Sequence, residues 1–182
     1  MKRLAILLLA CALPGAALAT DYVVQPAASN LQFSGTFQGA PFTGQFSQWS
    51  ATIRYDPAQL ATAKFDVSVT PASVKTDDAD QQDALPGADF FNVAKFPTAH
   101  FSSTGFRQNG AHVLADGNLT LRGVTKPISL NVTFTPNASG ATLDVSGTLN
   151  RLNFGVGSGD YADTSVIGAN VKVTAHLQLV KK

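Results

Sequence analysis

The sequence predicts an all-β fold of about eight antiparallel strands around one apolar interior. Three observations carry that expectation. Hydrophobic and polar residues alternate with a period of two through most of the chain, as in "VKVTAHLQL" and "ISLNVTF". Turn signals punctuate those runs, among them Asp56-Pro57, Asn109-Gly110, Pro136-Asn137 and Ser139-Gly140. Only one stretch, "DDADQQDAL", reads as a helix, with Asp77 and Asp78 at the end where a helix favours negative charge.

The chain opens with "MKRLAILLLACALPGAALATDY". Lys2 and Arg3 precede a short apolar stretch from Leu4 to Leu13, and Ala17-Leu18-Ala19 supplies a small-x-small pattern. The stretch is too short to span a bilayer, so residues 1–19 are expected to be a cleaved secretory leader, leaving a single domain over 20–182 in the periplasm. Leu8-Leu9-Ala10-Cys11 offers a rival reading as a lipoprotein processing site.

Nine alternating runs follow, near 29–37, 41–47, 49–55, 63–70, 99–106, 111–122, 127–135, 141–149 and 166–180. Two of them, 41–47 and 49–55, read as one strand bent at Ser47-Gln48, which leaves about eight. Each run has one apolar face that must be hidden. A closed barrel hides it and removes the sheet edges; a two-sheet sandwich satisfies the same pattern. The outward parity is Thr, Ser, Gln and Asn, which argues against a barrel embedded in lipid.

On the inward parity, Gly35, Gly44, Ala51, Ala115, Gly117, Gly147 and Ala175 sit among large residues. Small residues there fit either packing into the taper of a barrel or an open lumen ringed by Phe33, Phe37, Phe42, Phe46, Trp49, Phe65 and Phe134. A second aromatic group falls in "LPGADFFNVAKFPTAHFSSTGF", residues 85–106. Pro86-Gly87 ends the helix, so residues 88–96 should lie across a barrel end. There the adjacent Phe90 and Phe91 would point to opposite sides, one into the mouth and the other onto the helix. Phe96 and Phe101 would anchor the return.

Composition excludes several classes. Cys11 is the only cysteine, so no disulfide framework or cysteine metal site is available. There is no Glu; without Lys2 and Arg3 the chain has 11 basic against 12 acidic residues, a net charge of −1 with no basic stripe, which argues against nucleic acid as a partner. His100, His112 and His176 lack ligand spacing, and the last two fall on the polar parity of their strands. The Asp77, Asp78, Asp80 and Asp83 cluster lacks the glycine and terminal bidentate acid of a calcium loop. "FGVGSGDYAD" matches no phosphate-binding or nucleophile-elbow pattern and reads as a flexible loop. No catalytic set, metal site or cofactor is expected, and the chain is read as a non-enzyme.

Several motifs together resemble the YceI-like family. They are the helix leading into Asp89-Phe90-Phe91, then Lys95-Phe96-Pro97, then "LTLRGVTKP" at 119–127, and finally Arg151-x-x-Phe154-Gly155. The resemblance implies an eight-stranded antiparallel lipocalin-like barrel with one short helix and a loop over one end, which favours the barrel over the sandwich. It also implies an apolar tunnel for an isoprenoid or other long-chain amphiphile, prenyl quinone or polyprenyl in type. Phe90, Phe91, Phe101 and Phe154 join the candidate lining residues, and Arg122, Lys126 and Arg151 are candidates for a head group. The loop after Arg151 is similar to that of members linked to membrane cytochromes b, so an accessory module for such a cytochrome, with no free lumen, is the alternative. Monomer and homodimer both stay open.

Overall fold

The structure is a computed structural model that describes residues 19–182; the expected leader, apart from Ala19, and Cys11 lie outside the described residues. Alternation becomes eleven strands: β1 (Thr20–Val24), β2 (Asn30–Phe37), β3 (Ala40–Phe46), β4 (Trp49–Tyr55), β5 (Lys64–Val69), β6 (Val74–Thr76), β7 (Ala99–Asn109), β8 (His112–Leu121), β9 (Val124–Pro136), β10 (Gly140–Asn150) and β11 (Asn170–Lys181). Six of the eleven are halves of three bent strands. Both β1 and β2 pair with β11, β4 and β3 pair with β1 and β2, and β5 and β6 pair with β4 and β3. The ladder then runs β5–β7–β8–β9–β10–β11 and closes on β1 and β2, all antiparallel. The result is a closed eight-stranded barrel with, among the described residues, one short α-helix, α1 (Ala79–Ala84).

Proline explains two of the three bends. Pro26 and Pro71 each begin a single 3₁₀ turn between half-strands, because proline cannot donate to a ladder and breaks the pairing where it falls. The third break, at Ser47-Gln48, lies beside the second, and buried Ser73 ties them together. Gln48 N donates to Ser73 Oγ at 2.9 Å, and that hydroxyl donates to Thr70 O at 2.7 Å. The half-strands β1 and β6 are too short to show alternation, so the sequence pattern does not register them. β11 begins at Asn170 rather than 166, since Ile167 makes only an isolated bridge to Phe37.

Among the described residues, β6 has no strand on its far side. Its exposed edge is met by the Gln82 amide, which accepts from Thr76 N at 3.0 Å and donates to Val74 O at 3.0 Å. Gln82 belongs to α1, whose N-terminus is capped by Asp78 accepting from Gln81 N at 2.9 Å. The acidic cluster at 77–83 is thus a helix start. The segment 77–98 covers the gap between β6 and β7 and reaches over one barrel end.

At the opposite end the barrel is solid. Tyr22, Tyr55, Phe65, Phe106 and Phe134 stack with ring centroids between 4.8 and 5.8 Å apart. Ile53, Leu143, Leu177 and Leu179 pack into the same cluster. A second cluster, with Phe33, Val74, Leu85, Phe91, Phe154 and Val156, sits at the covered end.

Leu143 is fully buried in the closed-end cluster, so Leu143→Ala should lower unfolding free energy by about 2–5 kcal/mol in urea denaturation; a change within 0.5 kcal/mol would mean that this end is not close-packed. On the outside, Arg107 Nε donates to Asp116 at 2.7 Å and Ser129 Oγ also donates to that carboxylate, which together hold it below its ordinary pKa of 3.8. A depressed carboxylate adds stability above its ordinary pKa and loses it as pH falls through the lower folded value. Stability should therefore drop below about pH 4, and Asp116→Asn should flatten that acid limb in pH-dependent melts; an unchanged slope would remove Asp116 as a contributor.

Candidate functional site

Between the two clusters lies a cavity of about 230 Å³. It is elongated. On β11 alone the alternate residues Val171, Val173, Ala175 and Leu177 face it, a run of about 20 Å along a strand at ~3.3 Å per residue. Aliphatic residues of the other strands, such as Leu31, Val67, Leu119, Ile128, Leu130 and Val145, complete the wall.

Nine of the eleven aromatic candidates reach this cavity: Phe33, Phe42, Phe46, Trp49, Phe65, Phe90, Phe91, Phe101 and Phe154. Phe37 and Phe134 do not. Phe134 belongs to the closed-end stack against Tyr22 and Tyr55, while Phe37 stands 42% exposed at the tip of β2. Phe91 is the inward member of the adjacent pair; its ring meets Phe33 at 6.3 Å and Phe46 at 5.7 Å. Phe90 turns toward the opposite loop, with its ring 5.0 Å from Tyr161, and packs against the cluster that includes Leu85 at the end of α1.

The small inward residues divide between the two roles open to them. Gly44 lies under the Phe33 ring, its cross-strand partner, and Gly35 lies under Phe42 in the same hairpin. Phe101 covers Gly117, and Leu130 covers Gly147. A side chain at any of the four would meet a ring or methyl already there, so these glycines make room for packing. Ala115 is fully buried in the closed-end cluster and Ala51 packs against it. Ala175 alone of the seven lines the cavity.

Two ionisable side chains border the cavity, His100 and Arg151. The His100 imidazole points outward to Asp66, Nε2 to Oδ1 at 3.0 Å. That hydrogen bond holds the Asp66 carboxyl below its ordinary range. Arg151 is buried, at 5% exposure, with no carboxylate partner, and burial pushes its pKa down. Its Nε donates to Gly168 O at 3.1 Å, Nη1 to Val156 O at 2.9 Å and to Gly157 O, and Nη2 to Tyr161 O at 2.8 Å and Ile167 O at 2.9 Å. A guanidinium has five N–H donors, and all five are committed to carbonyls. Arg151 therefore organises the loop 151–169 and has no donor left for a head group. The glycine-rich segment read as flexible is wrapped around it.

The 151–169 loop and the 85–98 segment close over the mouth together. Gly157 N donates to Asp89 O at 2.7 Å, and Arg122 Nη2 donates to Ala88 O at 2.5 Å. Arg122 is placed by a two-residue hairpin turn, Arg122-Gly123, with φ of 51° and 73°, the type I′ geometry that suits β8–β9. Lys126 is exposed on β9. His112 is exposed, and His176 is paired with Asp144 at 2.7 Å on the outer wall. Among the described residues there is no group of three or more side chains able to hold a metal ion, and no helix long and apolar enough to cross a membrane.

A YceI-like domain model matches residues 22–179, nearly the whole barrel. The chain belongs to the YceI-like family. Among the relatives of this YceI-like chain, a UPF0312 protein of Pseudomonas savastanoi pv. phaseolicola is 35% identical over 169 residues, covering 85% of this chain and 87% of that protein. Protein YceI of Escherichia coli O157:H7 is 34% identical over 119 residues, 64% of this chain and 62% of that one. Among solved structures, BcnA of Burkholderia cenocepacia superposes with a TM-score of 0.81 at 28% identity, covering 85% of this chain and 98% of BcnA. A polyisoprenoid binding domain from Saccharophagus degradans has the same fold, with a TM-score of 0.63 at 17% identity, covering 90% and 99%.

If Arg151 is the hub of the mouth loop, no residue with fewer fixed donors can replace it. Arg151→Lys and Arg151→Ala should each cost about 3 kcal/mol or more by leaving buried carbonyls unsatisfied, and limited proteolysis should cut the loop near Gly155–Gly159 first. Wild-type protease resistance in Arg151→Ala would show that the loop holds without it.

Proposed function

We propose that this YceI-like chain is an exported binding protein, not an enzyme, that holds the tail of a long-chain isoprenoid lipid in its barrel as carrier, store or scavenger. The observation that carries the reading is an elongated apolar cavity in which the bordering cation, Arg151, has every donor already used. Such a lining can take hydrocarbon and nothing with an unmet polar group. The solved Saccharophagus degradans domain described as polyisoprenoid binding shares the fold and supports the choice of tail. The leader pattern at 1–19 supports export to the periplasm.

Size narrows the reading. About 230 Å³ lies below the roughly 300–1,000 Å³ of pockets that enclose drug-sized ligands. A narrow channel suits a chain better than a ring system, so the head group stays at the mouth, outside the lumen. At ~0.8 kcal/mol per buried CH₂, each five-carbon isoprene unit is worth roughly 3–4 kcal/mol gross, and a few units suffice for ordinary affinity after the costs of association. Hydrocarbon burial has no directionality, so selectivity among head groups should be weak. The open cavity supports this reading over that of an accessory module for a membrane cytochrome b with no free lumen.

Trp49, the only tryptophan in the chain, lines the cavity and reports on it. Titration with a benzoquinone bearing a ten-carbon tail should quench its emission saturably, and geranylgeraniol should compete. Ala175→Phe puts a ring into the open channel and should weaken uptake at least tenfold while the variant still unfolds cooperatively. Equal uptake by the folded Ala175→Phe variant would place the ligand elsewhere.

A further inference from the structure

Among the described residues, four large apolar side chains are exposed: Val23, Phe37, Tyr161 and Val166. Three of them stand together at the mouth. The β2–β3 turn is bonded to the 151–169 loop by Gln38 N donating to Val166 O at 2.7 Å, Gly168 N donating to Thr36 O at 2.9 Å, and the Phe37–Ile167 bridge. Tyr161 joins through its ring contact with Phe90. Ile167, Gly168 and Phe90 themselves line the cavity, so the exposed patch and the lumen form one continuous apolar surface. Phe37, at the tip of the β2–β3 hairpin, is 42% exposed, and Val166, on the 151–169 loop, is 40% exposed, so both face water.

The β1–β4 stretch that carries Phe37 is uncharged over most of its length. From Tyr22 to Ile53 the sequence contains no Asp, Lys or Arg. On the partner loop the exposed charges are Asp160 and Asp163, and the Asp163 carboxylate accepts from Ser165 N and Oγ. Of the cations at this end, Lys95 and Arg122 cluster around the β8–β9 turn, four strands round the barrel from the β2–β3 turn, while Lys172 on β11, in register with Ser34, and Lys75 on β6, in register with Gln45, are exposed on the strands beside that hairpin, below its tip. The rim itself is Phe, Tyr and Val with two aspartates beside it and no cation among its residues, which suits the head-group layer of a neutral bilayer, where amphipathic rings settle, better than an anionic one.

We propose that the rim formed by Phe37, Tyr161 and Val166 docks the barrel mouth on an uncharged lipid bilayer, so that a tail passes between membrane and lumen without crossing water. The proposal rests on the tail-binding reading for its purpose, yet docking itself needs no ligand. A tail carried through water would expose its whole apolar area, and direct contact removes that barrier.

Flotation with phosphatidylcholine vesicles tests the rim alone. The wild-type chain should co-float, Phe37→Ser combined with Val166→Ser should reduce the floating fraction at least fivefold, and Val23→Ser, at the other end, should leave it unchanged. With vesicles carrying a long-tailed prenyl quinone, stopped-flow quenching of Trp49 should accelerate in proportion to vesicle concentration, and the double variant should lose that dependence. Its equilibrium quenching by the ten-carbon quinone in solution should stay at the wild-type level. Wild-type protein that remains in the aqueous layer, floats only with anionic vesicles, or is quenched at a rate independent of vesicle concentration would overturn docking. If the double variant fails to fold, these wild-type measurements decide the matter. Wild-type protein that floats yet takes up no quinone would remove the tail-binding reading and leave the rim standing.

Discussion

An eight-stranded barrel has an interior of nearly fixed width, just enough for side chains to fill or for one slender ligand to occupy. Most of what is distinctive here comes from spending that width unevenly along the axis. Five stacked rings occupy the closed end completely. Toward the mouth, the rings of Phe33, Phe42 and Phe101 lie over Gly44, Gly35 and Gly117, which keeps them against the wall instead of across the lumen. The space they leave open is the cavity. Glycines under rings and a small Ala175 are thus two halves of one arrangement, and neither alone would yield a channel.

The mouth follows from a second constraint. Bending β5–β6 at Pro71 leaves β6 without a partner on one side, and a barrel wall missing a ladder must be covered. The 77–98 segment does this with α1, the Gln82 amide and Phe91, and the 151–169 loop meets it across the opening. A loop of that length has many backbone carbonyls and little regular structure to satisfy them. Arg151 answers that need with five donors directed at five carbonyls of its own loop. A buried cation would ordinarily pull an anion into the site. Here the carbonyls satisfy it, and the lumen stays apolar to its rim.

Much of this was legible in the sequence, and the exceptions have physical causes. Period-two alternation located every long strand, since each has one face in the barrel and one in water. It could not show β1 and β6, because five and three residues are too few for a period to emerge beside a proline. Parity placed Phe33, Phe42 and Phe46 in the lumen, but it cannot assign depth along the axis. Phe134 shares their inward face and lies at the solid end, while Phe37 shares it and stands past the last ring of the barrel. Arg151 was misread for another reason: a head-group contact and a loop hub look alike until the carbonyls are in place. The glycines at 155, 157 and 159, downstream of a lone arginine, were the available signal that the chain must curl tightly about it.

The most direct test of the account is chemical. Protein expressed from its full sequence and purified without detergent can be extracted with organic solvent and its lipid identified and counted by mass spectrometry. The account predicts close to one long-chain isoprenoid molecule per barrel, with little preference among head groups. An extract free of such lipid, from a protein that also fails to take up added geranylgeraniol, would contradict it.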